Sequence, residues 1–570
     1  MGKSKAQFTI QHKKVNSEKI YAFKNQQNFI WEVVGDIPNY QQKGNDYQLL
    51  IYGDCINPEV FFDLKEDFDN CLQKAKGHFT LVVVYPHQLK IMGSYFSFLP
   101  VYYCTSKKAI SNSWDLIEKY TNRGVSVQFM VESHLFNYPL GNTTLYKDIL
   151  LLNSFEMLTV EEGFSFECLT QINSWFNVNV KDEIDLKMLA ERFIENIKSY
   201  FTSDKELITF TSGFDGRIIL ANALANNKPV QTFSMGRLEN DDVVNPKQNA
   251  QELKIEFDTL DLAGSAYLDK FFESAKKLSK ISGGRNGFLY PHFLYCSEHY
   301  SIFETLQTGY CGSELFRALH VAGAVTSQEM VEIFFQEDDD KLFDKLFSSK
   351  RLRFFKPSVI DGVKSDVWRN VQDLRQKKDE FVSANHFFYS FIFKEVFRKV
   401  FGFWTNAQFD NLTVRTPFLD FNFIQMLLKS EFAGCNNDFF THNPLKRYKG
   451  QLLYAQILKE LNSPLLHMMT GKKYKPSQLI TRSGQLSIVI PYVIKKIRKR
   501  KGQVNLDNLG LITGFRQSWD VIDQCLNVVS PYYSLEAVRE SVQSMHPSMS
   551  EVERDMLFQI ASLCITLQHD

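Results

Sequence analysis

The sequence lacks the marks of a structural zinc site or a dithiol redox centre. Its nine cysteines (Cys55, Cys71, Cys104, Cys168, Cys296, Cys311, Cys435, Cys525 and Cys564) are widely spaced and form no Cys-x-x-Cys pair. An odd count at such spacing also argues against a disulfide framework and for a reducing compartment. No stretch reaches the roughly 18 consecutive apolar residues of a bilayer-spanning helix. The start, MGKSKAQFTI, has no apolar signal core, and Ala6 stands where N-myristoylation wants Ser or Thr. Charge of one sign is missing too, since 65 Lys and Arg balance 65 Asp and Glu. No whole-protein field therefore draws the chain to nucleic acid or to an acidic membrane. These absences predict a soluble, cytoplasmic protein whose basic sites are local.

A hydrophobic content of 44% against 23% charged residues is globular composition. At roughly 100 to 200 residues per domain, the 570 residues divide into two large domains or three ordinary ones. Up to about Val178 the text reads as strands and turns: FTIQHKKV, FIWEVVGDI, YQLLIYG, HFTLVVVY, LKIMGSYF, FEMLTVEEG and FSFECLTQI are β-branched or aromatic and bounded by Gly, Asn, Asp or Pro. At Asp185 the period changes, and Leu186, Leu189, Phe193 and Ile197 share one helical stripe. Then ELITFTSGFDGRIILANALANN reads as strand, glycine-bearing turn and helix, followed by the strand PVQTFSMG: a βαβ unit. The charged stretch from Val321 to Phe381 predicts a helical insertion, and most of the remainder is helical in pattern. The expected organisation is a β-rich domain over 1–180 and an α/β domain over 181–570.

Thr211-Ser212-Gly213-Phe214-Asp215-Gly216-Arg217 lies where a parallel strand ends and a helix begins. Backbone N–H groups at such a turn, with the positive end of the helix, form an anion site, and hydroxyls add donors for a phosphate chain. Gly213 and Gly216 are expected to allow close approach and positive φ. Taken alone, the loop is equally consistent with an ordinary turn capped at Asp215. Ile281-Ser282-Gly283-Gly284-Arg285 has a similar composition, but no apolar strand precedes it; it reads as a loop bordering a substrate pocket. His292, His320, His442 and His467 show no metal-ligand spacing. The run Lys495 to Lys501, after IVIPYVI, reads as a solvated face, with a membrane surface or an acidic partner as the alternative.

Two later stretches keep the first loop company: Thr308-Gly309-Tyr310-Cys311-Gly312-Ser313-Glu314-Leu315-Phe316 and Val414-Arg415-Thr416-Pro417-Phe418-Leu419-Asp420. In this order the three resemble the signatures of the asparagine synthetase family, and the first resembles its pyrophosphate loop, Ser-Gly-Gly-x-Asp-Ser. GHFTLVVVYPHQLKIMGSYFSFLPVYY and NTTLYKDILLL, with Ser174-Trp175-Phe176, are similar to segments of that family's N-terminal half. The resemblance covers most of the chain. It implies a degenerate Ntn-hydrolase-like β-sandwich followed by an α/β synthetase domain of the PP-loop, adenine nucleotide α-hydrolase-like kind.

The same resemblance implies ATP and Mg²⁺ as cofactors, with adenylation of a carboxylate, release of pyrophosphate and attack by an amine. Thr211, Ser212, Gly213, Asp215, Gly216 and Arg217 would hold the nucleotide, with Ser234, Met235 and Gly236 from the second strand and Gly309 from the second signature. Asp215, Ser313 and Glu314 would face the metal. Tyr310 stands where β-lactam synthetases place the tyrosine of a Tyr/Glu dyad, with Glu395 as its candidate partner. A tyrosine with a pKa near 10 needs such a carboxylate to act as base. The alternative for Glu395 is a helical i,i+4 pair with Lys399. Lys473, or its neighbour Lys472, resembles the lysine that faces the transition states.

Three positions depart from the family pattern. Gly2 replaces the N-terminal cysteine of glutamine-using members, so no glutaminase is expected and the nitrogen comes from ammonia or from a substrate amine. Ser313 replaces an aspartate, a weaker ligand for a hard cation than a carboxylate. Gly216 replaces a serine. The leading expectation is an AMP-forming amide ligase without glutaminase, similar to β-lactam synthetases and lasso-peptide cyclases and acting on a small-molecule or peptide carboxylate. The alternatives are amidation of a sugar acid, asparagine formation from ammonia, and a non-catalytic binding homologue.

Overall fold

Alternation in the first strands sets the architecture. In the computed structural model, which describes residues 6–11, 20–24, 30–44, 46–62, 67–181, 183–316, 325–436, 449–488, 507 and 509–568, Leu50 and Tyr52 point one way while Leu49 and Ile51 point the other. These lie on β5 (Gln48–Gly53). In chain order its companions are β1 (Phe8–Gln11), β2 (Ile20–Lys24), β3 (Ile30–Gly35), β4 (Tyr40–Lys43), β6 (Phe79–Val84), β7 (Leu89–Gly93), β8 (Tyr102–Cys104), β9 (Ala109–Ser111), β10 (Ile149–Leu151), β11 (Glu156–Val160) and β12 (Phe164–Cys168). They form two six-stranded antiparallel sheets, ordered β10-β8-β9-β1-β3-β2 and β12-β11-β7-β6-β5-β4.

Phe8, Ile10, Leu50, Tyr52, Val82, Ile91, Tyr103 and Leu158 fill one core that draws on both sheets. The opposite face of β5 to β7, with Ile51, Leu81 and Met92, joins a larger core that includes helical residues such as Phe68 and Leu72. A strand with side chains of period two and both faces covered produces this division.

The second part is built on five parallel strands: β13 (Glu206–Thr209), β14 (Val230–Gly236), β15 (Glu256–Asp261), β16 (Thr305–Gln307) and β17 (Thr413–Arg415), in the order β15-β14-β13-β16-β17. The protein is thus mixed α/β. The chain adds strands on one side of β13 and then on the other, so β13 and β16 flank a topological switch point, where ligands of open α/β sheets bind beyond the carboxyl ends. The described part of the charged stretch, residues 325–381, carries helices Gln328–Phe335, Asp339–Phe347 and Pro357–Arg375. The stretch is tied to the helix Val127–Phe136 through Arg351, which donates to the His134 carbonyl at 3.1 Å, and Asn370, which donates to Glu132 at 2.9 Å.

The stretch Val414 to Asp420 does its structural work at the joint between the two parts. Arg415 donates to both oxygens of Asp54 at 2.8 and 3.0 Å and to the Tyr200 carbonyl at 2.8 Å. His78 shares a 2.7 Å hydrogen bond with Thr416, and Lys76 pairs with Asp420 at 3.2 Å. Burial pushes His78 down to about 3, with Arg415 adding to the effect, and burial does the same to His134 and His292.

All three histidines are therefore neutral in the folded protein. Below about pH 6.5 the unfolded chain binds protons that the folded chain refuses, so stability falls with acidification from there towards pH 3. The slope is about 1.4 kcal/mol per pH unit for each histidine once the unfolded-state group is protonated. We expect the urea midpoint to drop steeply between pH 6.5 and 5, and to drop less after His292→Asn; a flat profile over that range contradicts the assignment.

Candidate active site

β13 carries a buried apolar run, Leu207 and Ile208, and is paired on both sides, so its carboxyl end is the innermost point of the sheet edge. From there residues 210–214 turn into the helix Asp215–Ala225. Asp215 is its first residue, where a carboxylate complements the helix dipole. One carboxylate oxygen accepts from Ser313 Oγ at 3.1 Å and the other from the Tyr454 hydroxyl. The stretch after β16 comes this close because its residues are small: a Cβ on Gly309 would run into the Asp215 Cβ, and one on Gly312 into the Asp215 carboxylate.

The glycines serve close approach and not unusual φ. Neither Gly213 nor Gly216 is among the residues with positive φ, contrary to the expectation from the sequence. Gly216 is instead pressed against the Thr209 carbonyl oxygen, which a Cβ would strike. That contact leaves no room for a side chain at position 216, since the backbone would have to move to admit one. Gly309→Ala should push the second stretch off Asp215 and lower the urea unfolding free energy by about 1–3 kcal/mol while leaving the far-ultraviolet spectrum unchanged; an unchanged urea midpoint contradicts this packing. This follows because bringing a Cβ below contact distance with neighbouring backbone and Cβ atoms costs on the order of 1–3 kcal/mol.

The loop is braced from three sides. Ser212 Oγ donates to Asp242, and Ser234 Oγ donates to the Asp242 carbonyl at 2.6 Å. Gly213 N–H donates to Thr211 Oγ1 at 3.3 Å, and Gly471 N–H donates to the Ser212 carbonyl at 3.1 Å. That last bond carries the Gly471-Lys472-Lys473 segment onto the loop. Lys472 Nζ lies 5.9 Å from the Phe214 ring centre, and Lys473 is exposed with a left-handed φ of 63°. Met235 is half-buried and Gly236, at φ 143°, ends β14.

Arg217 has a different place from the one its position in the loop suggested. It is fully buried and donates to the carbonyls of Gly213 (3.4 Å), Leu465 (3.2 Å) and Met469 (2.9 Å). Its donors are spent on holding the loop to the 465–469 segment, and burial lowers it to about 10. The expected Tyr310/Glu395 pair is also not formed. Tyr310 accepts from Gln408 Nε2 at 3.0 Å and packs against Phe293, Phe401 and Trp404. Burial pushes its hydroxyl above the ordinary range, away from the behaviour of a base. Glu395 pairs with Arg398 at 2.9 Å and Lys399 at 2.5 Å, the local alternative read from the sequence. Burial opposes its ionisation, yet those two cations hold its carboxyl below the usual range.

Glu314 and Asp215 both act on the thiol of Cys311, which burial and then these two carboxylates push up. Ser313 is bonded directly to Asp215 at 3.1 Å. Among the described residues no group of three or more His, Cys, Asp and Glu is arranged to hold a metal. Asp242, Tyr454, Gln408 and Gly471 were not singled out from the sequence. They come from distant elements, and no local spacing marks them. The Ser282-Gly283-Gly284 tract closes the helix Ser265–Ile281 through Gly284 N–H to the Ser279 carbonyl, 2.9 Å. His467 is exposed and His292 buried, while His320, His442 and the run 495–501 lie outside the described residues.

No family model matches the chain, and no curated protein matches it. Among solved structures, it is similar to glutamine phosphoribosylpyrophosphate (PRPP) amidotransferase from B. subtilis complexed with ADP and GMP, at 11% identity and a TM-score of 0.18, over 40% of this chain and 60% of that one. A second, described as the allosteric regulatory enzyme of purine biosynthesis, matches at 8% identity and a TM-score of 0.19, over 45% of this chain and 74% of that one. The chain thus spans about 60% of the first structure's length. Likenesses of this size assign neither fold nor activity. No described helix is long and apolar enough to cross a membrane.

Proposed function

We propose that the chain is an ATP-dependent, AMP- and pyrophosphate-forming amide ligase of the asparagine synthetase-like kind. Its substrates would be a carboxylate and either an amine of the same or a second substrate, or ammonia. One observation carries the reading: three stretches separated by about a hundred residues each converge beyond the carboxyl ends of the adjacent strands β13, β16 and β17, with Asp215 bonded to Ser313. ATP with Mg²⁺ would supply the adenylating phosphorus and the pyrophosphate leaving group. For its part the chain offers the first-turn N–H groups of the helix Asp215–Ala225 to the phosphates, Asp215 and Glu314 to the cation, and the lysines at 472 and 473 to the developing charge. Tyr310 accepts a hydrogen bond from Gln408, and the general base of the amine step has no assigned residue.

A second reading is favoured by the same site, that of a homologue that binds a nucleotide without making a bond. Tyr310 and Glu395 have separate partners, Arg217 is spent internally, and the Asp215 carboxylate already accepts from Tyr454 and Ser313. The two are separated by exchange of labelled pyrophosphate into ATP across a panel of carboxylates. Exchange that depends on a carboxylate supports the ligase. ATP binding by calorimetry with no exchange on any carboxylate supports the homologue, and no binding at all removes both.

A further inference from the structure

The Ser282-Gly283-Gly284-Arg285 tract delivers its arginine to the joint between the β-sandwich and the parallel-sheet part. Gly283 packs beneath Trp114, where a Cβ would strike the indole, and this fixes where Arg285 emerges. There Arg285, Asn286, Tyr290, Asn137, Lys399 and Trp404 line a cavity of about 10 Å³, room for one occupant of roughly water size.

The polar wall of this cavity consists of two cations, two amides, a phenol and an indole. No carboxylate lines it among the described residues. Arg285 donates to the Lys399 carbonyl and stacks at 5.7 Å over Phe403, but its Nε–H has no acceptor among the described residues. Lys399 and Arg398 share the single carboxylate of Glu395, and Lys399 spends its remaining donors on the carbonyls of Pro139 and Gly141. The other acid near Lys399, Glu132, is pushed up to about 7 by burial and is occupied by Gln128, Asn370 and the Leu140 N–H. A guanidinium buried without a carboxylate is costly unless something negative meets it.

We propose that this cavity binds one small monovalent anion of halide size, which neutralises Arg285 and ties the two parts of the chain together. The cavity is too small for a phosphate group or for a substrate carboxylate with its carbon chain, which separates this site from the nucleotide loop. The site does not depend on the ligase reading.

The test uses the full chain purified in sodium gluconate. Replacing gluconate by chloride, or by bromide, at constant ionic strength and pH should raise the thermal midpoint saturably, by about 2 to 4 °C. The same titration should broaden the ³⁵Cl resonance, and bromide should reverse the broadening. Arg285→Gln, and separately Asn286→Asp, which sets a carboxylate in the wall, should abolish both responses. If Arg285→Gln does not fold, Asn286→Asp decides by itself. Equal midpoints in chloride and gluconate with no broadening, or a response that survives Asn286→Asp unchanged, overturns the proposal.

Discussion

On the proposed ligase reading, Asp215→Asn is expected to lower carboxylate-dependent pyrophosphate exchange by about 10²-fold while leaving the protein folded, and Lys473→Ala should do the same. The size follows from charge. Departure of pyrophosphate builds negative charge that a carboxylate-held cation and a nearby ammonium oppose, and groups of this kind each contribute about 3 kcal/mol to a transition state. Retention of the fold follows from geometry. An asparagine oxygen at position 215 can still accept from Ser313 or Tyr454, and Lys473 is exposed on a segment fixed by backbone bonding of Gly471 to Ser212. Lys472→Ala is the internal control, since its ammonium lies over Phe214. If it falls instead of Lys473→Ala, the neighbouring lysine does the work. Ser313→Asp sets a second carboxylate against Asp215, where only a cation relieves the repulsion, so exchange should depend more steeply on Mg²⁺. Wild-type exchange in Asp215→Asn would falsify the ligase reading of this loop.

Much of the scaffold is legible in the sequence because its long elements have a clear period. YQLLIYG and HFTLVVVY are strands with two covered faces, and the stripe through Leu189, Phe193 and Ile197 is buried as one helix face. The strand, turn and helix around residues 206–225 are where the apolar run and the glycines put them. The three-residue strands β8, β9, β10, β16 and β17 are too short to show a period. At the candidate site, adjacency in sequence was a fair guide to Asp215 and Ser313 but a poor one to direction. Arg217 follows the loop yet turns inward, because its place on the helix Asp215–Ala225 carries it to the carbonyls at 465 and 469. Pairing across the chain was the hardest to read. The partner of Tyr310 is Gln408, and the partner of Asp215 is Tyr454, each decided by packing of helices that no spacing rule connects.

The second large effect belongs to Glu395, and it separates a role in holding the chain together from a role in chemistry. As half of a base dyad, Glu395→Gln would spare exchange and stability and block only amide formation. In the structure, however, its carboxylate is the shared counter-charge of Arg398 and Lys399, whose side chains are each 1% exposed. Those two residues in turn hold the carbonyls of Pro139, Gly141 and Leu152 in the β-sandwich part. Glutamine keeps the shape and removes the charge, leaving two buried cations supported by neutral carbonyls alone. Breaking a buried ion pair from one side costs about 3 to 5 kcal/mol, so Glu395→Gln should lose stability by that order in urea unfolding. Tyr310→Phe, which removes one hydroxyl bonded to Gln408, should cost about 1 kcal/mol. A double replacement of Glu395 by Gln and Lys399 by Met should recover part of the loss, because it removes one of the stranded charges. If Glu395→Gln is as stable as the wild type and amide formation alone disappears, the carboxylate acts on substrate and the joint does not need it.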